Sequence, residues 1–123
     1  MIKDLSCMHQ LVSDLFQWPR CIEEWLEYKL SEEQVEFFNT NGYLGGIKML
    51  DEKQIERIKN ELAEIADPKH PAHDLFYEFH SNESSDPNTI LFHALGAWRI
   101  TPGLHDVLGN PRFVIAASQL LGN

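Results

Sequence analysis

Apolar residues recur at helical spacing in several stretches, and nowhere does a long apolar/polar alternation of the strand type run through the chain. The most regular stripe is Ile55, Ile58, Leu62 and Ile65, one face of an amphipathic helix. Asp51 with Gln54 has the capping-box spacing that starts such a helix, and Asp67-Pro68 stops it. The same logic applies at Ser31 and Gln34, which open a helix whose apolar side is Val35, Phe37 and Phe38 and whose end is Asn41-Gly42. Between these two helices, Tyr43 to Met49 has room for one short strand, interrupted by Gly45-Gly46. Ile22, Trp25 and Leu26 mark a further helix that ends near Leu30.

From Pro68 to Asn88 the chain is rich in Pro, His, Ser, Asn and Asp around the island Phe76-Tyr77-Glu78-Phe79, which predicts a loop, a brief strand and another loop. Thr101-Pro102 and Asn110-Pro111 each put a good N-cap before a proline at the first helical position, where its missing N–H costs nothing. The last helix, Pro111 to Leu121, is apolar on most sides and therefore expects cover over nearly all of its surface. The elements add up to a mostly α chain with two or three short strands, an α+β class, and no closed sheet.

With 123 residues, 43% hydrophobic and 24% charged, the chain has the composition of one soluble domain or a piece of a larger one. Ten basic against nineteen acidic side chains give a net charge of −9, a field that repels nucleic acid and anionic lipid. The longest apolar run, Phe113 to Ala117, is far too short to cross a bilayer, and the first residues lack a basic-then-apolar signal. No membrane partner and a cytoplasmic location are expected. Cys7 and Cys21 form neither a disulfide framework nor a zinc pattern, and are read as reduced packing residues.

Six histidines invite a search for a metal site. A mononuclear iron facial triad uses His-x-Asp/Glu on a strand because residues two apart point the same way. The residues two after His9, His70, His73, His80, His93 and His105 are Leu11, Ala72, Leu75, Asn82, Leu95 and Val107, so none qualifies. His70 and His73 flank Pro71 and read as solvated loop histidines, with a metal-binding loop as the weaker alternative. Glu56, Glu61 and Glu64 read as the solvated face opposite the Ile/Leu stripe. The segment from His93 to Ile100 sets Trp98 and Arg99 in apolar surroundings. Either Arg99 is salt-bridged in a core segment, or Trp98 and Arg99 are the wall of a pocket for an anionic organic ligand.

Two stretches carry a resemblance. Leu30-Ser-Glu-Glu-Gln-Val-Glu-Phe-Phe-Asn-Thr-Asn-Gly-Tyr-Leu44, with the capped helix from Asp51, resembles the opening of the phytanoyl-CoA dioxygenase family of Fe(II)- and 2-oxoglutarate-dependent oxygenases. Phe92 to Ile100, Leu104 to Leu108, Asn110 to Phe113 and Gln119 to Gly122 look like the same family, in the same order. The resemblance implies a helical region leading into a double-stranded β-helix (jelly-roll) core, with residues 1–29 as an extension and 30–123 as the N-terminal part of the domain, truncated before the metal site. The family's iron ligands, His-x-Asp and a distant His, follow the segment resembling Gln119 to Gly122, so no residue here matches a metal ligand or a catalytic one. A family lysine that touches the cosubstrate falls between Ile90 and Ala94, where His93 is the polar residue and becomes the cosubstrate candidate. Fe(II) and 2-oxoglutarate are thus implied for the complete domain and not for this chain alone. The expected partner is the remaining jelly roll, or a second chain, covering the 111–121 helix. The alternative is a small helical interaction module that pairs through that helix.

Overall fold

A computed structural model describes residues 3–122, and they fold into a mostly helical α+β unit. Helices α1 (Ile22–Tyr28), α2 (Glu32–Asn41) and α3 (Glu52–Ile65) occupy the first half. Both predicted capping boxes close. Ser31 Oγ accepts from the Gln34 N–H at 3.2 Å while Gln34 Oε1 accepts from the Ser31 N–H at 2.9 Å. Asp51 and Gln54 repeat the exchange at 2.8 and 2.9 Å, so each helix start satisfies donors that would otherwise lack partners. Gly42, at φ 77°, ends α2 with its N–H 2.7 Å from the Phe38 carbonyl.

The stretch from Tyr43 to Met49 does not form the strand predicted for it. Gly46 turns the chain into the left-handed region at φ 77°, which breaks any extended run. The Met49 carbonyl is taken instead by the Asn110 side-chain amide at 2.9 Å.

Strands β1 (Glu78–His80) and β2 (His93–Leu95) pair antiparallel in the register Glu78 with Leu95, Phe79 with Ala94 and His80 with His93. Phe79 stands on one face, its ring in edge contact with Phe92 and the His73 ring and tilted against Phe76. Alternation puts His80 and His93 on the other. Gly96, at φ 95°, turns β2 into the 3-10 turn Ala97–Arg99, and a Cβ there would meet the Tyr77 ring at 2.9 Å.

Helices α4 (Pro102–Val107) and α5 (Pro111–Leu120) complete the chain. Ile65 from α3, Ala72 and Ile100 form the central cluster, with Leu62, Leu75, Phe76 and Leu104 against it. α5 packs on α1 and α2, and Gln119 clamps their junction: its Oε1 accepts from the Leu30 N–H at 2.8 Å and its amide donates to the Leu30 carbonyl at 3.0 Å. α5 is buried or half-buried along most of its length, and its cover is incomplete at the start and just past the end. Ile115 and Ala116 are buried, but Phe113 is 55% exposed and Leu121, just past the helix, 79%. Cys7 and Cys21 are exposed rather than packed. No helix among the described residues is long and apolar enough to cross a membrane.

Candidate functional site

Helix α4 is the point on which distant segments converge, and two carboxylates bring them there. Its N-terminus follows Thr101-Pro102, which predicts a threonine cap, yet Thr101 makes no side-chain capping bond and its buried Oγ1 has no partner. Glu61 from α3 performs the task instead. Its Oε2 accepts from the Gly103 and Leu104 N–H groups at 2.8 and 3.2 Å, and its Oε1 accepts from Arg57 Nε at 2.8 Å. Glu61 is only 5% exposed, which corrects its reading as part of a solvated acidic face. Gly103 is required for this approach, because a Cβ would lie 2.6 Å from Glu61 Oε2.

Asp106 is fully buried and binds the N-terminal segment. Its carboxylate accepts from the Val12 and Ser13 N–H groups, both at 2.8 Å, from the Ser13 hydroxyl at 2.5 Å and from His105 Nδ1 at 3.0 Å. Burial pushes the Asp106 pKa up, but the Ser13 hydroxyl, His105 and the two backbone donors outweigh it and hold it below the ordinary carboxylate value. The other ring nitrogen of His105 lies 3.2 Å from the Met8 carbonyl. With acceptors within hydrogen-bond distance of both ring nitrogens, His105 is held in place as a wall.

That wall borders a cleft of about 520 Å³, which also has Trp18, Trp98, His9 and Leu11 in its lining. Trp98 therefore occupies a pocket wall. Its neighbour Arg99 faces elsewhere: Nε and Nη2 donate to the Asp4 carboxylate, Nη1 donates to the Leu75 carbonyl at 2.8 Å, and the guanidinium stacks 4.7 Å from the Tyr77 ring centre. Those bonds, with the Ser6 N–H, hold the Asp4 carboxyl well below the usual range. Thus Trp98 and Arg99 do not combine as an anion-binding pair in this cleft. His93 is in neither place; it sits on β2 with Nδ1 3.2 Å from Glu83 Oε2.

The loop pair also has internal partners. His70 Nδ1 accepts from the Ala72 N–H at 3.2 Å, and His73 Nε2 lies 2.9 Å from the Asp67 carbonyl. Among the described residues no group of three or more His, Cys, Asp and Glu side chains is arranged to hold a metal ion.

Asp106 and Gln119 were invisible to sequence reasoning because their partners lie far away in the chain. Glu61 left a signal: it falls three residues after Ile58 and four before Ile65, on the edge of the apolar stripe. In comparisons with known proteins the chain matches no family model and no curated protein.

Proposed function

We propose that this chain is the helical N-terminal portion of an Fe(II)/2-oxoglutarate-dependent oxygenase resembling phytanoyl-CoA dioxygenase. Its exposed apolar faces would then seat a jelly-roll β core that these 123 residues do not encode. The observation that carries the reading is the imbalance of apolar burial. Fourteen large hydrophobic side chains are exposed among the described residues, against eight buried hydrophobic residues, two of them alanines. Ile90 at 78% exposure, with Leu91 and Leu95, flanks a two-stranded ribbon that has no further strand beside it among the described residues. A ribbon of this size needs more strands or a packed cover to be stable.

On this reading the whole domain would hold iron and 2-oxoglutarate, and the present residues would form the helical layer that supports it. Trp98 lines the cleft near α4, and His93 stands on the ribbon edge as the cosubstrate candidate. The experiment is to purify the chain and measure dye binding, sedimentation and succinate formation with Fe(II) and 2-oxoglutarate. Binding of an apolar-surface dye, a broad and concentration-dependent sedimentation profile and no succinate are expected. Chelator-sensitive turnover contradicts the reading. A cooperative, dye-silent dimer contradicts it as well and favours an interaction module that pairs through α5.

A further inference from the structure

The ribbon formed by β1 and β2 carries two histidines as direct cross-strand partners, His80 and His93, with ring centres 5.8 Å apart. Both side chains are open to solvent, on the face opposite Phe79. Each ring is held at one nitrogen by its own carboxylate. Glu78 Oε1 lies 2.9 Å from His80 Nε2, and Glu83 Oε2 lies 3.2 Å from His93 Nδ1.

An ionised carboxylate only accepts, so these contacts put the ring proton on the nitrogen facing the glutamate. In the neutral rings the lone pairs fall on the opposite nitrogens, Nδ1 of His80 and Nε2 of His93, which have no hydrogen-bond partner among the described residues. A metal-binding imidazole has the same second-partner arrangement, its N–H donated to a carboxylate that fixes the tautomer and raises ligand basicity.

Spacing agrees. Two imidazoles sharing one ion at metal–nitrogen distances of about 2.0–2.1 Å have ring centres about 5 to 6 Å apart. The loop that carries Glu83 is ordered as well. The Glu83 N–H donates to the Leu91 carbonyl at 2.8 Å, and Asn82 Oδ1 accepts from the Leu91 and Ser84 N–H groups, both at 2.9 Å.

We propose that His80 and His93 form a two-imidazole site for a divalent transition-metal ion of the zinc and copper class, with Glu78 and Glu83 orienting the rings and solvent filling the remaining positions. Imidazole suits these ions, and an ion bound across the pair clamps β1 to β2. The proposal rests on the geometry of the ribbon and not on the oxygenase reading, and it gives His93 a metal ion in place of the cosubstrate.

The test is calorimetric titration of the full chain with zinc chloride, with thermal melts recorded alongside. The wild type is expected to take up one equivalent and to melt at a higher temperature with zinc. H80A and H93A are each expected to lose at least about tenfold in affinity, and the E78Q/E83Q pair about tenfold while both histidines remain. Melts of the zinc-free variants show that they are folded, since all four side chains are exposed. H73A should bind as wild type does. No saturable uptake by the wild type at millimolar zinc, wild-type binding by an H80A/H93A double variant, or loss of binding in H73A overturns the proposal.

Discussion

Helix α4 and helix α5 both begin with a proline after a polar cap, yet their surroundings differ in kind. α4 is short and closed off, with Glu61 bonded to its first turn and Asp106 on its buried side gathering Val12, Ser13 and His105. α5 is longer and more apolar; most of it is buried or half-buried, with Phe113 exposed near its start and Leu121 exposed just past its end. The buried polar contacts with several donors each thus gather on the short helix, and not on the most apolar segment. A buried polar group must be matched atom by atom, so it specifies one arrangement. An apolar face accepts any cover of suitable shape, and on α5 that cover leaves Phe113 exposed.

Substitutions at the two ends of this contrast should separate most widely. Asp106→Ala strands two backbone N–H groups, a hydroxyl and an imidazole, and should cost about 3 kcal/mol or more in denaturant unfolding. A loss below about 1 kcal/mol would show that water replaces the carboxylate and that the contrast is mistaken. Glu61→Ala, which leaves Gly103 and Leu104 without their acceptor, should cost about 2 kcal/mol, and Glu61→Gln less because one acceptor remains. An equal loss in both variants would mean that the charge matters more than the cap.

Acid provides an intermediate effect. Because the folded Asp106 pKa lies below its unfolded value, its contribution is complete above about pH 4 and is lost as pH falls through the lower folded value. Unfolding midpoints should therefore drop on acidification below about pH 4, and the slope there should be shallower in Asp106→Asn. Asp4, held low by Arg99, adds to the same trend with the same sign. At the small end, Phe113→Ala and Leu121→Ala should change the stability of the isolated chain by no more than about 0.5 kcal/mol. A larger loss would show that α5 is already covered in solution.

Much of the helical framework was legible in the residues. Ser31 with Gln34 and Asp51 with Gln54 act within one turn, so local spacing sufficed to start α2 and α3, and Gly42 to end α2. Thr101 failed as a cap because a carboxylate from another helix reached the same donors, a competition that local sequence does not encode. The strand expected at Tyr43 to Met49 failed because Gly46 leaves the extended region, and the last carbonyl of the stretch is bound by Asn110. The pocket reading divided for a similar reason: Trp98 faces the cleft, whereas Arg99 meets Asp4 from the far end of the chain. His80 and His93 could be paired only once the register of β1 and β2 was known.

The most direct measurement is the coding sequence that follows the codon for Asn123, read in frame from the source transcript. If the exposed Phe113 and Leu121 at the ends of α5 and the bare ribbon are seats for a jelly roll, a His-x-Asp motif should follow within a few dozen codons, with a further histidine downstream. A transcript that stops, or continues without that pair of signals, would contradict the oxygenase reading.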